Sequence, residues 1–302
     1  MKRAVSVSLG SSSRNKRVVV EFNGQPVEVE RIGTDGDIEK ARQLYKDLDG
    51  HIDAFGVGGV DLYLRLDGRE TPLRAALKLV SEVKSTPLVD GRGLKHTLER
   101  RVFELARPFL GPAPRFQQAF VPVAIDRIGL AQAVDEVSDH IILGDLMVAL
   151  GVPIAVKSIP AFKRLARILL PFVSHFPMSM LFYGSSGAEQ EPKYEKYFQG
   201  SDLLAGDFLF MRKYMPLDLG GKTIVTNTTT EANIQLLQER GVKTLITTTP
   251  RYEGRSFGTN MLEAALTAYA GLGRPLRDEE LNALIDELDL RPTVLKLNEA
   301  PA

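Results

Sequence analysis

One local pattern occurs twice between residues 222 and 271, and it constrains the fold more than any other feature of the chain. Each copy has an apolar β-branched run, then a loop rich in hydroxyl groups, then a segment with helical periodicity. The apolar runs are Thr223 to Val225 and Thr244 to Ile246. Strand, loop and helix in repetition are typical of a parallel sheet with right-handed crossovers. Because open parallel sheets bind ligands at the carboxyl ends of their strands, both loops are predicted to line a ligand site.

Composition restricts the class of protein. Lysine and arginine together number 38, as do aspartate and glutamate, so the net charge is zero and we expect no nucleic-acid partner and no polybasic membrane anchor. The sequence has no cysteine, which excludes disulfides, thiolate metal sites and a cysteine nucleophile. Its 4 histidines lack metal-ligand spacing, so no metal site is predicted.

The 302 residues suffice for two α/β lobes. The segment from Gly111 to Pro114 carries two prolines and cannot continue a helix, so it predicts lobes of 1–112 and 113–302. No targeting segment is recognised, and charges and prolines interrupt the apolar region 141–183, which is therefore no membrane span. We expect a cytoplasmic protein that makes no contact with a membrane. Its apolar region is expected to be buried in the core or to form a homodimer interface.

The fold class predicted from these patterns is α/β, with two Rossmann-like lobes built on mainly parallel sheets with flanking helices. A ligand cleft is expected between the carboxyl ends of the two sheets. The ligand itself does not follow from the fold class, because one fold supports many functions.

The loop after the first apolar run is a candidate cofactor site. Thr228 and Glu231 have the spacing of a capping box, in which Thr228 accepts from the amide of Glu231. A cap alone leaves the neighbouring polar residues unexplained, and short donors beside a helix N-terminus suit a phosphate, a carboxylate or a ribose. The candidate cofactor-binding residues are Asn227, Thr228 and Thr229, with a purely structural role as the alternative.

The loop after the second apolar run carries two arginines and leads into a helix predicted to open near Gly258. Arginine pairs bidentately with carboxylate or phosphate, and the amides of a helix start favour an anion. The alternative is an exposed loop with solvated arginines. The candidate cofactor-binding residues here are Thr248, Arg251, Arg255, Ser256, Gly258 and Asn260.

The first half of the chain offers two glycine-rich turns. The segment GVGGVD, which ends at Asp61, follows a predicted strand but lacks the third glycine of the dinucleotide fingerprint. The turn DGRG precedes Lys95 and His96, which suits a ligand loop with Lys95 as a proton donor or anion contact. Plain tight turns, a solvated lysine and a packed histidine are the alternatives. The candidate substrate-binding residues are Gly58, Gly59, Asp90 and Gly91.

Two aspartates share one context, because Asp145 and Asp207 each follow an apolar strand and a glycine. A carboxylate at the end of such a strand acts as a base or binds a hydroxyl group, and a helix N-cap is the alternative. We predict that Asp145, Asp61 and Lys95 are catalytic and that Asp207 binds substrate.

Several long blocks of the sequence resemble a bacterial family usually labelled quinate 5-dehydrogenase, over residues 2 to 297. The blocks are VSVSLGSS, ERIGTDGD, DAFGVGGVDLYL, DGRGLKHTLERR, GDLMVALGVPI, IVTNTTTE and GRSFGTN. The resemblance implies an oxidoreductase that uses NAD or NADP and acts on a hydroxy acid such as quinate or shikimate.

Shikimate and quinate dehydrogenases pair a lysine, in a run N-V-T-x-P-x-K, with an aspartate in N-T-D-x-x-G. The first run is absent here, and Lys95 with Asp35 or Asp61 would have to fill the two roles. Two other classes of function stay open. One is a transferase or lyase without nicotinamide, and the other is a non-catalytic protein that binds a small anionic metabolite.

Overall fold

The structure is a computed structural model that describes residues 1–111, 114–181, 191–252 and 255–298, without the side chains of Ala149 and Arg255. The chain divides into two compact units, each assembled from segments that are distant in sequence. Unit 1 comprises Met1–Leu94, Arg167–Ala188 and Gly258–Asp289, and unit 2 comprises Lys95–Ala166, Glu189–Phe257 and Leu290–Ala302. The predicted boundary at residue 112 differs from this division, and Pro112 and Ala113, on which it rests, lie outside the described residues.

The strands are β1 (Lys2–Ser8), β2 (Lys16–Phe22), β3 (Gln25–Gly33), β4 (Ala54–Gly58), β5 (Tyr63–Leu66), β6 (Arg69–Pro72), β7 (Leu88–Val89), β8 (Phe116–Val121), β9 (Ser138–Leu143), β10 (Leu203–Gly206), β11 (Thr223–Thr226), β12 (Thr244–Thr247), β13 (Arg251–Tyr252), β14 (Arg255–Ser256) and β15 (Thr293–Lys296).

The α-helices are α1 (Ile38–Leu48), α2 (Arg74–Leu79), α3 (Arg92–His96), α4 (Val102–Leu110), α5 (Ile128–Glu136), α6 (Asp145–Leu150), α7 (Ile159–Val173), α8 (Met178–Leu181), α9 (Glu195–Gln199), α10 (Phe208–Tyr214), α11 (Glu231–Glu239), α12 (Thr259–Ala270) and α13 (Asp278–Glu287). Two short 3₁₀ helices cover Ser12–Arg14 and Ile125–Arg127.

Unit 1 is built on a five-stranded sheet with the order β2-β3-β1-β4-β7. Strands β3, β1, β4 and β7 are parallel, and β2 pairs with β3 in the antiparallel sense. The turn between β2 and β3 has positive φ at Asn23 and Gly24, the conformation that an Asn-Gly dipeptide favours in a two-residue hairpin. Tyr45 and Phe55 are fully buried in the core, and the Tyr45 hydroxyl donates to the carbonyl oxygen of Val7 at 3.0 Å.

Helix α12 packs closely on β1 and β4 of this sheet. A Cβ atom at Gly56 would lie 2.8 Å from the carbonyl oxygen of Asn260, and one at Gly91 would lie 2.6 Å from its amide nitrogen. Glycine is therefore needed at both positions for the first turn of α12 to approach the strands. The second copy of the strand–loop–helix pattern does not close a βαβ unit, because β12 lies in unit 2 and α12 in unit 1.

Unit 2 is built on a six-stranded sheet with the order β15-β12-β11-β10-β8-β9, in which only β15 is antiparallel. The predicted α/β class, with mainly parallel sheets and flanking helices, is confirmed. The chain builds outward in one direction from β8 to β9 and in the other from β10 to β12. The switch point of the sheet therefore lies between β8 and β10, which is where open α/β sheets bind their ligands.

None of the helices in the described ranges is long and apolar enough to cross a membrane. The apolar region that begins near residue 141 contains β9, α6 and α7. On α7 the buried residues are spaced three or four apart, which places them on one face of the helix: Ile159, Phe162, Ala166 and Leu170. The helix is therefore amphipathic, with one face in the core.

Gly129 in α5 provides a direct test of the packing in unit 2. A Cβ atom at this position would overlap the carbonyl oxygen of Lys95, which cannot rotate away. We expect Gly129→Ala to lower the free energy of unfolding by about 2 kcal/mol, because overpacking outweighs the gain in helix propensity. Urea denaturation measures the loss. The control Gly220→Ala should change stability by less than about 0.5 kcal/mol, and equal losses in both variants would contradict the prediction.

Candidate functional site

Ionisable side chains gather at the switch point of the unit 2 sheet. Asp126 and Arg127 follow β8, and Asp207 follows β10 directly. Lys95 comes from α3, and Glu99 comes from the turn that leads into α4. Together these five residues are called the switch-point cluster.

Arg127 lies at the centre of the switch-point cluster and contacts three carboxylates. Its Nη1 donates to Oε1 of Glu99, its Nη2 lies 3.2 Å from Oδ2 of Asp207, and its Nε lies 3.4 Å from Oδ2 of Asp126. The Arg127 side chain is only 5% exposed and that of Glu99 is fully buried. Removal of one partner from an ion pair buried to this degree strongly destabilises a protein, because the other charge is left without a counter-charge.

Lys95 is paired with Asp126 at the same place. Its Nζ lies 3.7 Å from Oδ2 of Asp126, and the Lys95 side chain is 6% exposed. This separation is an ion-pair distance rather than a hydrogen bond, so the two groups attract one another without sharing a proton. A buried amine beside a carboxylate is an arrangement that can move a proton to or from a bound ligand.

The switch-point cluster contains buried carboxylate oxygens that accept no hydrogen bond from the described residues. Three carboxylates face two cations, and burial raises the pKa of Glu99 although Arg127 and Lys95 oppose the rise. Oε2 of Glu99 and Oδ1 of Asp126 are buried and have no hydrogen-bond partner in the part of the chain that the structure describes. Because buried acceptors are normally paired, a ligand here is expected to donate hydrogen bonds, as hydroxyl groups do.

Polar residues from β11 and β12 extend the cluster along the sheet. Nδ2 of Asn227 donates to Oδ2 of Asp207 at 2.8 Å, and the Thr248 hydroxyl lies 3.4 Å from Oε1 of Glu99. Asp207 also caps α10, since its Oδ1 accepts from the amide of Leu209 at 2.9 Å. The structure thus brings together four of the predicted site residues, namely Lys95, Asp207, Asn227 and Thr248.

Sequence reasoning did not find Glu99, Asp126 and Arg127. Asp126 and Arg127 could have been found, because both follow the apolar end of β8. They were missed because that strand was not recognised from the sequence. Glu99 carried no such signal, since it lies in a turn and reaches Arg127 across 28 positions of sequence.

Other hydroxyl groups of the two loops join the loops to one another, whereas the buried Thr229 hydroxyl has no hydrogen-bond partner among the described residues. The Thr228 hydroxyl donates to the carbonyl oxygen of Ser256 at 2.8 Å, and the Thr229 amide donates to the Ser256 hydroxyl at 2.8 Å. The helix cap lies at Thr230, whose hydroxyl accepts from the amide of Asn233. The predicted capping box of Thr228 and Glu231 is therefore wrong, because α11 begins two residues later than that box requires.

The two loop arginines lie on a short hairpin formed by β13 and β14. Nη2 of Arg251 pairs with Oε1 of Glu231. The side chain of Arg255 lies outside the described part of the structure. Anion binding by Arg251 and Arg255 therefore stays a prediction.

Asp145 holds the turn that follows β8. Its carboxylate accepts from the amides of Ala124 at 3.0 Å and Ile125 at 2.9 Å. Burial raises the pKa of Asp145 to about 7, although these backbone hydrogen bonds oppose the rise. The amides after the first strand of a doubly wound sheet are where a dinucleotide pyrophosphate binds. Here they are already used by Asp145, so this turn does not fit the phosphates of NAD or NADP.

Several predicted residues of unit 1 have roles in packing. A Cβ atom at Gly58 would lie 2.8 Å from Cβ of Ser8, and Nδ2 of Asn260 donates to the Ser6 hydroxyl at 2.8 Å. Gly258 precedes the first residue of α12 as its N-cap. Gly58 and Gly91 leave room for this helix, and Asn260 attaches it to β1.

The other predicted residues of unit 1 form its turns. Asp90 is 4% exposed, and it accepts from the amides of Leu62 at 2.8 Å and Arg92 at 3.1 Å. Gly59 has a φ of 83°, and Asp61 is half-buried and has interaction partners. The contacts of Asp90 lie within unit 1, and the positive φ of Gly59 is one that glycine adopts readily. Within the described ranges, no group of three or more histidine or carboxylate side chains could hold a metal ion.

Three solved structures are distantly similar to this chain. Malic enzyme from Entamoeba histolytica is 9% identical with a TM-score of 0.35, and the match covers 81% of this chain and 53% of that enzyme, about half its length. A structure from Mycobacterium smegmatis is 11% identical with a TM-score of 0.33, covering 98% of this chain and 91% of the other. Another from the same organism, in complex with β-D-fucofuranose, is 10% identical with a TM-score of 0.31, covering 96% and 98%.

Similarity at this level supports no conclusion about activity. No curated protein matches the sequence. Residues 3–90 match a family model described as Domain of unknown function (DUF8753). Residues 93–297 match a second model, which spans more than half of the chain. The chain therefore belongs to the family described as Domain of unknown function (DUF8754).

Proposed function

We propose that the chain is an oxidoreductase that acts on a small polyhydroxylated acid such as quinate or shikimate, with its catalytic residues in unit 2. The observation that carries the proposal is the buried pair of Lys95 and Asp126 beside Arg127, at the switch point of the sheet. Position, burial and residue type there all suit proton transfer on a small ligand.

Lys95 is the group that moves the hydroxyl proton in this proposal. During oxidation, neutral Lys95 would accept the proton from the reacting hydroxyl group. During reduction, its ammonium form would donate the proton to the developing alkoxide. Asp126 lies 3.7 Å from Nζ, where its charge stabilises the ammonium form and orients the amine.

The free acceptors of the cluster define the face of the substrate that binds there. Oε2 of Glu99 and Oδ1 of Asp126 require hydrogen-bond donors, and the hydroxyl groups of a polyhydroxylated acid supply them. The carboxylate of such a substrate would be repelled by the surplus of acidic groups. We therefore expect the hydroxyl-bearing side of the ligand to face the cluster.

The proposal includes NAD or NADP, which would accept or supply the hydride. No step is assigned to residues around the nucleotide, because the turn after β8 is held by Asp145 and does not fit a pyrophosphate. The same observation favours a second candidate function. That function is a lyase or transferase that uses the Lys95 and Asp126 pair on a related substrate without a nicotinamide nucleotide.

Titration with NADH and NADPH separates the two candidates. The sequence has no tryptophan, so nicotinamide fluorescence can be followed with little protein background. The oxidoreductase proposal predicts saturable enhancement with one of the nucleotides, followed by turnover with a member of a hydroxy-acid panel. No enhancement at millimolar nucleotide contradicts the oxidoreductase and leaves the second candidate.

Two variants test whether Arg251 contacts a phosphate of the nucleotide. Arg251→Ala is expected to weaken nucleotide binding by roughly tenfold if this arginine contacts a phosphate. Arg100→Ala removes an exposed arginine that pairs with Glu136, and it should leave binding unchanged. Equal effects of the two variants would argue against a phosphate contact at Arg251.

A further inference from the structure

Unit 1 contains a pocket that involves none of the residues of the switch-point cluster. It has a volume of about 430 Å³ and is lined by the start of α1, by α2, and by the segment from His175 to Met178. A pocket of this volume is large enough for a small organic molecule.

The polar part of the pocket lining is entirely basic. Its ionisable residues are Arg42, Arg74, Lys78 and His175, and no lining residue is acidic. Arg42 pairs with Glu39 on the same helix at 3.3 Å, an exposed contact of the kind that contributes little stability. The pocket lining therefore carries positive charge and no negative charge, and among the described residues Glu39, outside the lining, pairs with Arg42 alone.

Arg74 and Lys78 are the strongest indication of an anion. They are four residues apart on α2, so their side chains lie on one face of the helix, where like charges repel. Within the described residues, neither side chain has an ion-pair partner. An anion bound between them would relieve the repulsion and gain charge-assisted hydrogen bonds.

Backbone hydrogen bonds hold the wall of the pocket in place. The amide of Arg74 donates to the carbonyl oxygen of Ser174 at 3.1 Å, which joins the start of α2 to the end of α7. The Ser174 hydroxyl donates to the carbonyl oxygen of Pro171 at 2.8 Å, and Nδ1 of His175 lies 2.9 Å from the same oxygen. A wall held in this way loses little conformational entropy when a ligand binds.

The rest of the lining is apolar, and it includes Ile38, Leu79, Phe176 and Met178. Ile38 is 37% exposed although it is a large apolar residue, whereas Leu79 is buried beneath the pocket. A fully hydrated ion such as inorganic phosphate would leave this apolar surface in contact with water. Burial of an apolar group against it would be favourable.

We propose that this pocket of unit 1 binds an amphipathic anion, in which an apolar body carries a phosphate or carboxylate group. The anionic group contacts Arg74 and Lys78, with Arg42 and His175 beside it. The apolar body lies against Ile38, Leu79, Phe176 and Met178. This site is independent of the proposed oxidoreductase activity, because it shares no residue with the switch-point cluster.

Calorimetric titration of the full chain with octyl phosphate, below its micellar concentration, tests the proposal. We expect saturable binding of one molecule per chain, weaker binding of ethyl phosphate, and none of octylamine. Affinity should fall by roughly fourfold for each methylene group that is removed, as expected for burial of an alkyl chain. Octanoate in place of octyl phosphate distinguishes a carboxylate from a phosphate ligand.

Charge variants locate the site. Lys78→Glu is expected to weaken binding of octyl phosphate by at least about tenfold. Lys243→Glu makes the same change of net charge at an exposed position in unit 2, and it should bind as the unmodified chain does. Ile38→Ser should weaken binding of octyl phosphate more than that of ethyl phosphate, because it removes apolar contact only.

Three outcomes would overturn the proposal. Lys78→Glu and Lys243→Glu could bind equally well, octylamine could bind as tightly as octyl phosphate, or inorganic phosphate could match octyl phosphate. The first outcome would show that the ligand does not bind at Lys78. The second would show that the site does not select an anion, and the third that the apolar lining does not contribute to binding. Because binding is measured rather than turnover, failure of the oxidoreductase proposal leaves this result unaffected.

Discussion

Lys95→Met should lower the turnover number for the hydroxy-acid substrate by about 10²–10⁴-fold, because the group that transfers the hydroxyl proton is lost. Methionine preserves most of the side-chain volume in this 6% exposed position, so the fold is expected to persist. The measurement is kcat at saturating substrate, together with a urea denaturation curve for each variant.

Lys222→Met is the matched control for this experiment. Lys222 is also a buried lysine, but its Nζ donates to the carbonyl oxygens of Gln199 at 3.0 Å and Ser201 at 2.9 Å. We expect this variant to lose stability and to keep its turnover per folded molecule. Asp126→Asn should reduce turnover less than Lys95→Met does and should shift the pH–rate profile, since Asp126 positions the amine. Turnover of Lys95→Met within about threefold of the unmodified chain would refute the assigned role.

Arg127→Met is expected to lower the free energy of unfolding by about 3–5 kcal/mol, because it leaves buried carboxylates without their counter-charge. Glu99 is fully buried and depends on Arg127 most directly. In the double variant Glu99→Gln with Arg127→Met, the fully buried Glu99 position no longer carries a charge that needs Arg127, whereas Asp126 and Asp207 still lose their contact with it. The double variant should therefore be more stable than the sum of the two single losses predicts.

A double-mutant cycle by urea denaturation measures this coupling. Arg100→Met is the control, because its pair with Glu136 is exposed and should contribute less than about 1 kcal/mol. Burial already raises the pKa of Glu99 above its unfolded value, so the folded state takes up a proton there more readily than the unfolded state. The loss of unfolding free energy caused by Arg127→Met should therefore become smaller as the pH is lowered from neutral towards the pKa that Glu99 has in the unfolded chain. Strict additivity in the cycle would show that Arg127 and Glu99 do not stabilise one another.

The predicted site residues that the structure brings together lie where the local pattern indicates the end of a strand. Asp207, Asn227 and Thr248 each follow an apolar strand of four residues, and the carboxyl ends of adjacent parallel strands meet at one edge of a sheet. Lys95 was identified from the glycine-rich turn before it. Its partner Asp126 was not, because their contact joins segments 31 positions apart in sequence.

The glycine-rich turns show the opposite case. From sequence, the glycines at Gly56, Gly58 and Gly91 indicate either a phosphate loop or a tight turn, and nothing local distinguishes the two. In the structure they lie against the first turn of α12, some 170 to 200 residues later in the chain. Glycine is needed at these positions because the backbone of α12 approaches so closely, and no local sequence pattern encodes that approach.

The sequence by itself determined the α/β class, the hairpin at Asn23 and Gly24, and the polar loops at the strand ends. Each of these follows from periodicity and turn preferences between neighbouring residues. Only the tertiary structure decided that α12 belongs to unit 1, that Arg127 gathers three carboxylates, and that Asp145 holds the turn after β8. These features depend on contacts between residues far apart in the chain. The energies of those contacts arise from burial and pairing that exist only once each unit has folded.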